Sequence, residues 1–485
     1  MNQPRKYGVK STIAIMPLIA SCATSAPKDE DTRASSSAAE LQVSASSVLQ
    51  VRGGADNAVV AQVLPNAACT LCPADVTAGG DCLNVPSNDS GGVTFYYNTS
   101  SSTSVHTLLL NCRDLRGNVG TYSLQLQASA NARALTAPAP KGTIRPALTG
   151  DPLSYTDAQL VGMGFPPRPD PTQAPDRYQQ WLDLVSRAST KVSGRPIPMP
   201  GLRGGTYFWA WAGYRATSHP AYTQVQAVWQ VPYPYGETNN FGYVDTSSLW
   251  VGLGDGSVTY SNGDMWQGAS EQDVTCYLSG GDIACVRGYY SWVQVIHEDG
   301  TPVPPTGNGQ CCSMVTWDMG FRPWHYVYIE LWIGDINGNP KTSLTKPLYA
   351  WWYFWDENTN AYYSDYGGWY YVDNNGQPHC RGCDPNDPDN DGRLPSFIQF
   401  TGGSAEWIVE RTSGAGTPHL ANFGTALMMG ADFYNPSENW RAYQYDNPTQ
   451  ITMTSNGNST DPVLATANQV QGHQDQIKFQ WYRFY

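Results

Sequence analysis

The chain has 485 residues, room for two or three domains and a large core. Charged residues make up 14% of it, against about 25% in an average soluble protein, and 28 basic side chains face 41 acidic ones for a net of −13. That balance repels phosphate backbones and excludes nucleic acid as the expected partner, while 17 Trp and 30 Tyr exclude disorder over most of the length.

Residues 1–22 read as an export signal. Arg5, Lys6 and Lys10 precede a short apolar run, STIAIMPLIA, well under the ~20 residues that span a bilayer. The run ends in Ile19-Ala20-Ser21-Cys22, which resembles a bacterial lipobox, so Cys22 is the expected lipidation site. No other stretch reaches transmembrane length, and a lipid is the one membrane attachment expected. The expected location is the cell envelope, at the outer membrane or cell surface, or the secreted fraction. Of the 11 cysteines, removal of Cys22 leaves ten in even local groups: Cys69, Cys72, Cys82 and Cys112; Cys276 and Cys285; Cys311, Cys312, Cys380 and Cys383. Bridges within each group are expected in an oxidising compartment, with the pairing left open.

Residues 23–46 are small, polar and charged, as in a flexible tether. Residues 47–132 carry short alternating runs such as SVLQVRG and VHTLLLNC, a small disulfide-containing β module. Residues 133–205 hold many of the prolines and one helical pattern, DRYQQWLDLVSRAST, with Tyr178, Trp181, Leu182 and Val185 on one stripe and Asp176 as N-cap. Such a segment docks on another domain, as a propeptide or a clamp. From 206 to 485 the chain is strand-like: TQVQAVWQVP and HYVYIELWIG alternate polar and apolar residues between Gly, Asn, Asp and Pro turns. The fold class is mainly β, an antiparallel β-sandwich with a concave face.

Neither a GxSxG elbow nor an HExxH helix occurs, so the chemistry falls to carboxylates and amides on strands. In Ala405-Glu406-Trp407-Ile408-Val409-Glu410 the two glutamates share one face, ~13 Å apart. Asp387, Asp389 and Asp391, followed by Gly392, place oxygen ligands at alternate positions in the manner of a calcium loop, a structural metal site weighed against a solvated acidic turn.

Five segments in order, AWAGY (210–214), VQAVWQVP (225–232), SSLWVGLGDGS (247–257), MWQGAS (265–270) and AEWIVER (405–411) with ANFGTALM (421–428), resemble the eqolisin or glutamic peptidase family. The resemblance implies a concanavalin-like sandwich and a catalytic dyad that falls on Gln267 and Glu410. Glu410 would take a proton from the attacking water and return it to the leaving amine, and Gln267 would steady the oxyanion. No cofactor is implied for catalysis, and pepstatin insensitivity is expected. A carboxylate near its ordinary value of ~4.3 further implies an acidic optimum. Two departures stand out: Gly254 replaces the family's aspartate, and Gln294 replaces a glutamate lining the site.

The expected function is an exported, monomeric endopeptidase on extended polypeptide, with Trp211, Trp250 and Trp292 as groove walls and Gln294 beside the substrate. The alternatives are a carbohydrate-binding or carbohydrate-cleaving sandwich and a non-catalytic adhesin. Glycosidase carboxyls lie ~5–10 Å apart, which disfavours Glu406 and Glu410 as such a pair.

Overall fold

In a computed structural model, the protein is described over residues 48–485 except 66, 75–81, 89, 100–103, 115–116, 133–141, 145–150, 163–164, 188–189, 193–196, 199–208, 239–242, 255–263, 280–281, 297–314, 318–319, 342–343, 345–347, 367–368, 373–377, 382–399 and 413–418. The signal, Cys22, the tether and the Asp387, Asp389 and Asp391 loop lie outside the described residues.

Short alternating runs form the N-terminal strands β1 (Val48–Arg52), β2 (Asn57–Gln62), β3 (Ala67–Pro73), β4 (Leu83–Pro86), β5 (Gly92–Thr99), β6 (Val105–Asp114) and β7 (Val119–Ser129). Five of them make a sheet in the order β1-β7-β6-β3-β4. Cys69–Cys112 and Cys72–Cys82 bridge within this segment, so the two cysteines of CTLC go to different partners. Cys276–Cys285 closes a third local bridge.

The larger part is a sandwich. Its front sheet runs through β8 (Trp211–Ala216), its back sheet through β9 (Gln224–Gln230), and the chain continues into the front strands β10 (Val244–Gly254), β11 (Met265–Ser279) and β12 (Asp282–Ile296). The back sheet follows with β13 (Tyr326–Gly334), β14 (Tyr349–Asp356) and β15 (Ala361–Tyr366). The chain returns to the front in β16 (Ser404–Glu410) and to the back in β17 (Thr425–Asn435). Front-sheet order is β12-β11-β10-β16-β8 and back-sheet order is β17-β9-β13-β14-β15, antiparallel at every step. Between them lie Leu249, Val251, Leu253, Ala405, Trp407 and Val409 from the front and Val225, Trp229, Ile329, Leu331 and Phe354 from the back. Two indoles tie the layers: Trp407 Nε1 donates to the Gln226 carbonyl at 2.9 Å, and Trp229 Nε1 donates to Ser270 Oγ at 2.8 Å.

The far ends of β11 and β12 carry Tyr277, Ala284 and Val286 into the core of the N-terminal strands. There β5 pairs with β12 and β2 with β5, which makes the first segment continuous with the front sheet. The Pro-rich segment reaches both sheets: Ile197–Pro198 pairs at the front sheet's edge, and its helices lie on the back sheet. It contributes α1 (Asp157–Gly162) and α2 (Pro175–Arg187), and Leu160, Phe165, Trp181, Leu184 and Val185 pack on Tyr328, Trp332, Tyr353, Trp355 and Tyr362 of the back sheet's outer face. The helix opens on Pro175, whose missing N–H is harmless at the first position, so Asp176 falls inside the first turn instead of capping it. Arg177 anchors the helix. Its guanidinium meets Glu330 at 3.5 Å and Asp432 at 3.9 Å, donates to Tyr328 Oη at 3.2 Å and lies 4.4 Å over the Trp440 ring.

Glu330 is fully buried, and Arg177 offsets part of the rise that burial imposes on its carboxyl. Arg177→Met should therefore cost ~3–5 kcal/mol in urea unfolding at neutral pH, with part of the loss recovered in Arg177→Met/Glu330→Gln. Equal stability of the single variant and wild type would contradict the anchor.

Candidate active site

The front sheet's outer face is built by period-two alternation on five strands, and the registers arrange it in rungs. The first rung runs Trp211, Glu410, Ser248, Glu271, Tyr290 from β8 to β12. The second runs Gly213, Ile408, Trp250, Ala269, Trp292, and the third Arg215, Glu406, Gly252, Gln267, Gln294. Glu406, Ile408 and Glu410 thus share one face, as the sequence pattern requires, and that face is covered: Glu406 is 1% and Glu410 5% exposed.

Trp250 is the central side chain. Its Nε1 donates to Glu410 Oε2 at 2.8 Å, and the other end of the indole lies over Gly252, where an added Cβ would come within 2.8 Å of the ring. Only glycine leaves that space, so Gly252 on the third rung seats the Trp250 indole, which holds Glu410 from the rung between. Burial pushes the Glu410 carboxyl up to about 8, the charge of Glu271 adds to the rise, and the indoles of Trp211 and Trp250 oppose it. The acidic optimum was expected from a carboxylate near its ordinary value. The structure corrects that premise, because a carboxyl in this site keeps its proton through the acidic range.

Gln267 is buried, with Nε2 donating to Gln294 Oε1 at 3.0 Å and Oε1 left without a partner. Register sets Gln267 level with Glu406 across Gly252, about 10 Å apart at two interstrand spacings. Glu410 is a further four residues along, which puts its backbone about 16 Å from that of Gln267, with Trp250 between. Glu406 accepts from Ser404 Oγ at 2.8 Å. A Cβ at Gly254 would sit 2.9 Å from Ser404 Oγ and 3.5 Å from Glu406 Oε1, so an aspartate there would crowd Glu406. Trp211, Trp250 and Trp292 are all buried on this face, with Trp211 edge-on to Trp250 at 5.1 Å.

Four residues escaped the sequence reading: Glu271, Asp273, Ser248 and Thr412. Glu271 Oε2 accepts from Trp292 Nε1 at 2.5 Å, and Oε1 accepts from Thr412 Oγ1. Asp273 Oδ2 accepts from Tyr290 Oη at 3.1 Å. Burial raises both carboxyls, and the charge of Glu271 pushes Asp273 well above the usual range. Alternation within MWQGASEQD puts Gln267, Glu271 and Asp273 on one face and was the available signal; their partners required the registers. Among the described residues no group of His, Cys, Asp and Glu is arranged to hold a metal ion.

No protein-family model and no curated protein sequence matches the chain. Among solved structures it is similar to scytalido-glutamic peptidase with a peptide-based transition state analogue, at TM-score 0.31 and 12% identity over 56% of this chain and 98% of that one. It is also similar to SCP-B, a member of the eqolisin family of peptidases in complex with the tripeptide Ala-Ile-His, at TM-score 0.29 and 11% identity over the same shares. Such values assign no residues.

The Glu410 proton is held more tightly in the folded chain than in the unfolded one. Its contribution to stability is full below the unfolded value of ~4.3 and is lost as pH rises through about 8. Glu410→Gln has no such proton to lose. Its stability relative to wild type, measured by urea unfolding, should rise by ~2–5 kcal/mol between pH 4 and pH 9. A constant difference across that window would contradict the buried, proton-holding carboxyl.

Proposed function

We propose that the protein is an endopeptidase of the glutamic type, which hydrolyses peptide bonds across the front sheet's outer face. The observation that carries this reading is Glu410: a buried carboxyl held by an indole N–H, with no cationic partner among the described residues, on the same sheet face as an amide with an unsatisfied oxygen. Glu410 enters protonated. As water adds to the scissile carbon, Glu410 gives its proton to the carbonyl oxygen and takes one back from that water. It then gives this proton to the leaving nitrogen as the C–N bond breaks and recovers one from the remaining hydroxyl. Gln267 accepts from the water through Oε1 and lends the free N–H of Nε2 to the oxygen that gains charge. The polar row of Gln294, Gln267 and Glu406 lies beside these groups for backbone contacts, and Trp211, Trp250 and Trp292 shield the reaction from bulk water.

Export belongs to the same reading. Three disulfides support an oxidising compartment, and Cys22 is the proposed lipid attachment.

Cleavage of a denatured casein, with pepstatin present, tests the assignment. Glu410→Gln should lose roughly 10²–10⁴-fold in kcat/KM and Gln267→Ala roughly 10²–10³-fold. Because the acid must be protonated, wild-type activity should persist from acidic to neutral pH and fall as pH rises through about 8. Full activity in Glu410→Gln would sink the reading. So would loss of activity in Glu406→Gln with Glu410→Gln unimpaired, which would move the chemistry to the third rung.

A further inference from the structure

Ser248 stands between two glutamates on one rung, Glu410 on β16 and Glu271 on β11, and is itself fully buried with no partner for Oγ. The two glutamate backbones are about 10 Å apart, two interstrand spacings. A water between the two carboxyls would need polar partners, and the unpartnered Ser248 hydroxyl on the strand between them is one. Each carboxyl is held by its own indole, Glu410 by Trp250 at 2.8 Å and Glu271 by Trp292 at 2.5 Å. Thr412, two residues after Glu410, donates to the other oxygen of Glu271 and ties the strands together at this point.

We propose that Glu271 is a second working carboxyl of this site, exchanging a proton with Glu410 through a water seated on Ser248, with Asp273 holding a further proton behind it. The transfer balances simply: the O–H bond of Glu271 breaks as one forms on the water, the water passes its other proton to Glu410, and one negative charge moves the opposite way. The proposal rests on Glu410 as the acid–base group, and it adds the carboxyl that shares its proton and sets the pH at which it is held.

The surroundings of Glu410 leave Glu271 as its main electrostatic neighbour. From β8 it faces Trp211, and from β10 it faces Ser248 and Trp250; the rung ends in Glu271 and Tyr290, with Asp273 one step beyond. Glu406 and Arg215 lie two rungs away. Arg411 turns its guanidinium 4.4 Å over the Trp209 ring and donates to the Ser455 carbonyl at 2.9 Å. The charge of Glu271 raises Glu410, and carboxyls that interact in this way titrate as a pair.

The test reads the two indole N–H signals by NMR of the full chain carrying ¹⁵N-tryptophan, because Trp250 reports Glu410 and Trp292 reports Glu271. Glu271→Gln should lower the Trp250 midpoint by about one pH unit or more, and Glu410→Gln should lower the Trp292 midpoint by a similar amount. Thr412→Val keeps both carboxyls and removes one donor, so it remains informative if Glu271→Gln fails to fold. It should raise the Trp292 midpoint and lower that of Trp250. Unmoved midpoints, or midpoints that move together in Thr412→Val, would overturn the pair. The activity arm separates the two claims. If wild type cleaves casein and the pH at which Glu271→Gln loses activity stays where it was, the pair fails and the peptidase reading stands. If wild type cleaves nothing but the indoles shift as described, the pair stands and the peptidase reading fails.

Discussion

The register of β16 between β10 and β8 is the constraint on which the site depends. Glu406, Ile408 and Glu410 point outward because Ala405, Trp407 and Val409 are buried between the sheets, and Trp407 is pinned to the back sheet by its bond to Gln226. A slip of one residue would put both glutamates into the apolar core and the tryptophan outside. The same register sets Ser248 opposite Glu410 and Gly252 opposite Glu406. It therefore decides which carboxyl meets Trp250 and which lies level with Gln267. The sandwich behind it, from Trp229 to Phe354, holds this one alignment.

What the alignment creates is a face of carboxyls stabilised mainly by neutral donors. Glu410, Glu271 and Asp273 are answered by indoles, a threonine and a tyrosine. A neutral donor lowers a buried carboxyl far less than an adjacent guanidinium does, so burial prevails and all three carboxyls are raised. The back face shows the contrast. There Glu330 is equally buried and also raised, but Arg177 reaches in from α2 and offsets part of the rise. Arg177 thus docks the helices on the back sheet and answers Glu330, whereas Glu410, Glu271 and Asp273 meet neutral donors. The low count of Lys and Arg, 28 in 485 residues, is consistent with that division.

Much of the architecture was legible in the sequence because period-two alternation is a local property. The strand TQVQAVWQVP, the shared face of Glu406 and Glu410, and the helix beginning near Asp176 all follow from patterns a few residues long. Asp176 missed its assigned place because Pro175 can begin a helix, which moved the start two residues earlier than a cap at Asp176 implies. Less was legible wherever two distant strands meet. Nothing in MWQGASEQD announces that Glu271 will face Glu410 across Ser248, since that depends on two registers with loops of unrelated length between them. The ordinary acidity assigned to Glu410 failed for the same reason: a strand pattern shows which way a side chain points, and the cover over it comes from elsewhere in the chain. The N-terminal strands, read as a module of their own, are joined to the front sheet through β5 and β12, a pairing between segments almost two hundred residues apart.

The site's chemistry turns on whether Glu410 keeps its proton through the acidic and neutral range. Infrared difference spectra between wild type and Glu410→Gln, taken along a pH titration, observe the carboxyl C=O band of that one residue. A protonated band should persist and disappear only as pH passes about 8. Loss of the band near pH 4, where an ordinary glutamate ionises at ~4.3, would contradict it.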